Sequence, residues 1–106
     1  MNKDTNRIIE KLLTDKKFFN AFTSEAFVKY FETGDVGEFL NALRCVCDAC
    51  GGVGKISKAS GVSRQTMHNI FTFKTSPSFE TVFKILRAVG VGLSPVVFNS
   101  FKNKSS

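Results

Sequence analysis

Gln65 and Asn69 lie four residues apart in the run VGKISKASGVSRQTMHNIF, a spacing that stacks two side chains on one face of a helix. Each side-chain amide carries a donor and an acceptor, the pair of groups that matches the N6 and N7 edge of adenine in the DNA major groove. Arg64 stands beside them and suits guanine or a phosphate. His68 and Thr72 fall on the same side when residues are stepped by roughly 100°. Each residue also has a plainer role available: an exposed Gln or Asn is ordinarily only solvated, and His68 can serve as a surface or capping group.

These side chains point outward only if two short helices meet at a tight corner. Gly61 follows one helical pattern and Ser63 opens the next, leaving Val62 between them. The corner needs positive φ, which glycine adopts without steric cost. Ser63 is a good N-cap, because its hydroxyl can accept from an unpaired first-turn N–H. Ile56, Val62, Met67 and Ile70 recur at helical spacing and turn both helices toward one core, with Phe71 beside them. Residues 53–71 therefore read as a helix-turn-helix with base-reading candidates Arg64, Gln65, His68 and Asn69. Lys55, Lys58, Ser63, Thr72 and Lys74 are placed to meet phosphate.

The charge distribution agrees. Residues 51–106 hold eight basic residues against Glu80 alone, a balance of +7, whereas residues 1–50 hold seven basic and eight acidic residues, a balance of −1. The basic surface thus lies on the half that carries the corner, and nucleic acid is its natural partner. At 106 residues and 42% hydrophobic content the chain has the size of one domain. No apolar run approaches the roughly 20 residues of a membrane span. The N-terminus also lacks a secretory pattern, so the expected location is cytoplasmic, with no membrane partner.

Cys45, Cys47 and Cys50 invite a metal or redox reading. On a helix, however, residues two and five apart do not converge on one point. Against the apolar line of Phe39, Leu43 and Val46, Cys47 and Cys50 point inward and Cys45 points away. Reduced cysteines acting as small apolar residues fit better than zinc, and no cofactor is expected.

The other elements follow from pattern. Residues 5–17 read as a helix through Ile8, Ile9, Leu12 and Leu13, followed by the apolar group Phe18, Phe19 and Phe22. Residues 24–33 form a helix with Phe27, Tyr30 and Phe31 on one face, stopped by Gly34. Asp35 caps the next, with Glu38 placed as in a capping box, and Gly51 and Gly52 end it after Cys50. After the loop at 72–76, Ser76 and Pro77 begin a last helix that buries Phe79, Val82, Phe83, Leu86 and Val89 and stops at Gly90. β-Branched residues around Ser94 and Pro95 allow a short edge strand at 91–98. The expected fold is mainly α, a bundle of five to six helices. Its domains are a helical extension at 1–22, the DNA-binding unit at 23–98 and a disordered tail at 99–106.

The runs SKASGVSRQTMHNIF and SPSFETVFKILRAVGVGL, preceded by FETGDVGEFLNALRCVCDACGGVGKI, resemble the addiction-module antidote proteins, HigA-like antitoxins of the Xre type with a lambda-repressor-like DNA-binding domain. The resemblance covers roughly residues 20–98. It rests on the Gly-Asp pair, the Ser-Gly-Val-Ser-Arg turn and the Pro-x-Phe-x-Thr-Val start of the last helix, in that order. It implies a homodimer on a palindromic double-stranded DNA operator, autorepression, and neutralisation of a RelE-like ribonuclease toxin. Ser57 departs from the broader helix-turn-helix pattern, which places alanine there.

A stand-alone repressor of phage or mobile-element type would share the DNA chemistry and lack the toxin. An enzyme has little support: there is one histidine, and the glycines at 51–54 lack Walker A spacing. Of the twelve phenylalanines none falls in 53–70 and six fall in 18–39, more than a minimal DNA-reading unit needs. Surplus aromatic surface of that kind commonly becomes an interface, and residues 1–22 and 91–98 are the two candidates.

Overall fold

The computed structural model describes residues 3–95, and these form six helices with no strand: α1 (Lys3–Thr14), α2 (Lys16–Thr33), α3 (Val36–Ala49), α4 (Val53–Ser60), α5 (Arg64–Phe71) and α6 (Phe79–Ala88). The tail expected at 99–106 and the 96–98 end of the expected edge strand lie outside the described residues. Residues 91–95 make no strand pairing. No described helix is long and apolar enough to cross a membrane.

The first break falls earlier than pattern alone suggests. Asp15 ends α1 and starts α2: its carboxylate accepts from the Phe18 N–H at 3.0 Å, satisfying a first-turn donor that no backbone carbonyl reaches. Residues 18–23 are therefore helical, and α2 runs unbroken to Gly34, whose φ of 71° closes it through a bond to the Tyr30 carbonyl. Asp35 caps α3 by accepting from the Glu38 N–H at 3.2 Å. The reciprocal half of that capping box does not form. Glu38 reaches toward Lys29 at 3.9 Å, and the Asp35 N–H donates instead to Thr33 Oγ1.

Helix α3 is the spine. It packs against α1, α2, α4 and α5, and α6 joins through α4. Its buried side chains Phe39, Leu40, Leu43, Val46, Cys47 and Ala49 meet Leu12 from α1, Ile56 from α4, Met67, Ile70 and Phe71 from α5, and Ile85 and Leu86 from α6. Each large aliphatic side chain so buried contributes on the order of 1.5–3 kcal/mol. Phe27 and Tyr30 cover Phe39, with ring centroids 5.0 and 5.2 Å away. Ile8, Ile9, Phe18, Phe19 and Phe22 also lie on the core, so most apolar residues of the N-terminal segment serve packing; Leu13, 63% exposed, is the exception.

Two expectations about side-chain direction are corrected. Cys45, expected to point away from the line of Phe39, Leu43 and Val46, is half-buried against the core all the same, because helices pack on several sides of α3. Helix α6 is rotated from the expected register. Ser78, not Ser76 with Pro77, is its N-cap, accepting from the Thr81 N–H at 3.1 Å. Its inward stripe is Val82, Ile85, Leu86 and Val89, a clean i, i+3, i+4, i+7 set. Phe79 and Phe83 lie off that stripe and are exposed, at 75% and 44%.

Cys47 is fully buried and acts as a core residue. Burial, reinforced by Cys50 and Asp48, pushes its thiol from the ordinary 9.0 up to about 12. The unfolded chain therefore loses this proton first. Stability is unaffected below about pH 9 and falls as pH rises from about 9 toward 12, where the folded thiol also ionises. Urea titrations across that window should show the decline, and Cys47→Ala should flatten it; an equal decline in the variant would assign it to other groups.

Candidate nucleic-acid interface

The corner between α4 and α5 is held by its own side chains. Gly61 takes φ of 79°, and its N–H donates to the Ser57 carbonyl at 3.0 Å. The Ser57 hydroxyl donates to the Val62 carbonyl at 2.6 Å, while the Val62 N–H donates to Ser60 Oγ at 3.1 Å. Serine at position 57 thus does what alanine could not: it ties the end of α4 to the far side of the turn. Val62 is buried beneath it.

Ser63 caps α5 as its sequence position suggests, accepting from the Thr66 N–H at 3.1 Å and donating to Thr66 Oγ1 at 2.8 Å. Met67, Ile70 and Phe71 anchor α5 in the core at 0, 1 and 5% exposure. That anchoring fixes the rotation of the helix. Arg64, Gln65, His68 and Thr72 are exposed as a result, and Asn69 is half-buried. Gln65 and Asn69 are joined: Gln65 Nε2 donates to Asn69 Oδ1 at 3.0 Å. The bond leaves Gln65 Oε1 to accept and Asn69 Nδ2 to donate, so the pair retains both an acceptor and donors.

Beyond α5 the chain turns back on it. Thr72 Oγ1 donates to the His68 carbonyl at 2.7 Å, and the N–H groups of Lys74 and Thr75 donate to the Asn69 carbonyl at 2.8 and 3.3 Å. Phe73 takes a φ of 63°, unusual for a side chain of this size, and its ring lies over Gly37 at the start of α3. The exposed Lys74 is thereby held at the C-terminal end of α5.

Arg64 is placed differently from its α5 neighbours. Its guanidinium lies across Gly54 in the first turn of α4, close enough that a Cβ at Gly54 would collide with it. The cap of that turn, Gly52, offers no side-chain hydrogen bond, and Lys55 folds its stem back over Gly51. The first turn of α4 thus brings together backbone N–H groups without a capping side chain, the positive end of a helix dipole, a guanidinium and an ammonium group. Lys58 is exposed further along α4. The role of Gly54 escaped the sequence reading, because nothing in local pattern says that the next helix will lay an arginine on it. Gly54→Ala should leave the melting temperature nearly unchanged, since only the flexible end of Arg64 has to move, and should weaken DNA binding several-fold through misplaced Arg64. Unaltered binding would remove Arg64 from the interface.

Among the described residues no three His, Cys, Asp or Glu side chains group to hold a metal ion. Fold and site together define a mainly helical bundle in which two short helices at a tight corner hold polar and basic side chains outward. Residues 8–97 match the model of the family described as "Probable addiction module antidote protein", and the chain belongs to that family. The match begins inside α1, ahead of the residues that carry the resemblance in the sequence. No curated protein and no solved structure matches the chain. The family is one of antidotes, which supports an antitoxin role with a cognate toxin as partner.

Proposed function

We propose that the chain is a DNA-binding antitoxin of a type II toxin–antitoxin module, of the HigA-like Xre type. It neutralises a RelE-like ribonuclease toxin and represses its own operon from a palindromic operator as a cytoplasmic homodimer. The observation that carries the reading is the outward face of α5. The bonded pair of Gln65 and Asn69 offers the acceptor and donor that adenine N6 and N7 require, with His68 exposed alongside. Arg64 serves phosphate at the first turn of α4 better than a base, because it lies back across Gly54. Lys55, Lys58 and Lys74 extend that backbone contact, joined by Ser63 and Thr72. Leu12 of α1 lies in the same core as the buried side chains of α4 and α5, which ties the extension to the corner. No step of this function requires catalysis by the chain.

The test joins both halves of the proposal. The chain is produced with the product of the adjacent gene and purified through one tag; a stable complex that silences ribonuclease activity is expected. Sequence-specific DNA binding with no toxin partner would instead mark a stand-alone repressor. Fluorescence anisotropy against salt tests the phosphate contacts: Lys55→Ala and Lys74→Ala should each weaken binding to every sequence and reduce the slope of log K against log salt by about 0.9. A change in sequence preference with an unchanged slope would contradict their assignment.

A further inference from the structure

The outer face of α6 carries apolar surface that neither the core nor the DNA-reading corner uses. Phe79 and Phe83 are 75% and 44% exposed, and their rings stack one turn apart with centroids 6.4 Å apart at 23°. An apolar groove of about 280 Å³ opens beside Phe79, walled by Tyr30, Val36, Pro77, Val82 and Leu93. Continuing the 79, 83 row by four residues reaches Arg87, and Glu80 falls within about 20° of Arg87 around the helix. Glu80 holds Lys84 at 3.2 Å, whereas Arg87 has no carboxylate in ion-pair reach among the described residues.

We infer that this face joins two copies of the chain, with α6 of one packed antiparallel on α6 of the other about a twofold axis near Phe83. A closed symmetric contact must be complementary to itself, and this stripe is. In the antiparallel arrangement Phe83 meets Phe83 of the second copy. Phe79 then lies under the second copy's Arg87, a cation over an aromatic face. Glu80 faces the same guanidinium, and symmetry makes each of these contacts twice. A parallel arrangement would set Arg87 against Arg87 and Glu80 against Glu80, which like-charge repulsion opposes. A foreign partner would need no such mirrored order of aromatic, acid and base along a single helix.

The inference deepens the proposed function and rests on it only for the use of the dimer on a palindromic operator; the contact itself is measured without DNA. Sedimentation equilibrium of the full chain should give twice the chain mass at micromolar concentration. Phe83→Glu should weaken the dimer at least about thirtyfold with helical circular dichroism retained. Glu80→Lys and Arg87→Glu should each weaken it about tenfold, and the combined Glu80→Lys/Arg87→Glu variant should recover most of the loss. A wild-type chain that stays monomeric at about 100 μM would overturn the inference, as would a dimer that survives Phe79→Glu with Phe83→Glu. Failure of the combined charge variant to recover would overturn the antiparallel register. A dimer broken by these variants in a chain with no sequence-specific DNA binding would sink the DNA-reading proposal and leave this one standing; operator binding by a monomer would do the reverse.

Discussion

Gln65→Ala is expected to cost about 1–3 kcal/mol of discrimination between the operator and its mismatched variants, roughly a 5- to 150-fold loss of preference. Asn69→Ala should do the same, and the two losses should not add. The side chains share a hydrogen bond of 3.0 Å, so removing either one frees the other to rotate and breaks the paired acceptor and donor. A double-mutant cycle on the preferred site and on a site with one adenine replaced would measure that coupling. Stability should barely change, because the bond is on the surface of α5 and such pairs contribute only about 0.2–0.5 kcal/mol to a helix. If both single variants kept full preference for the operator, another face of the molecule would have to read the bases.

The largest effect on stability is expected from Ile85→Ala. Ile85 is fully buried in α6, the helix that α4 packs against, and it lies at the centre of the inward stripe. Truncation to alanine leaves a cavity that the surrounding helices fill only in part, at a cost of about 2–5 kcal/mol. For a chain of this size that lowers the melting temperature by on the order of 10–30 °C. DNA binding should be lost with heating at the lower transition and be normal below it, because Ile85 is buried on α6, which packs on α4 and not on α5. The contrast with Phe83 is diagnostic: Phe83→Ala should shift the melting temperature far less in the monomer, since that ring is already 44% exposed. Comparable melting shifts for Ile85→Ala and Phe83→Ala would mean that the register of α6 is wrong.

That register marks where sequence reasoning ran short. Phe79, Val82, Phe83, Leu86 and Val89 all lie within one broad apolar arc, and a helical wheel cannot say which edge of the arc meets the core. Only the position of α4 against α6 settles it, and α4 chooses the edge that contains Ile85. Cys45 went astray for a related reason. A helical wheel centred on Phe39, Leu43 and Val46 sees one partner face, but α3 is packed on several sides. The helical break at Asp15 was legible in principle, as an aspartate three residues ahead of a phenylalanine-rich run, yet the apolar spacing continues across it and hid the boundary.

The corner fared better because its chemistry is local. Positive φ at Gly61 and the cap at Ser63 depend on neighbours within a turn or two, and the helical spacing of Met67, Ile70 and Phe71 marks the face that packs. Sequence alone therefore determined that two short helices meet here and which side chains of α5 look outward, since backbone sterics, capping and helical period act over a few residues. Only the tertiary structure decided that Arg64 lies across Gly54 and that Phe79 and Phe83 stay exposed. Those outcomes depend on the distance and rotation between helices, which close packing against the α3 spine sets and no local pattern encodes.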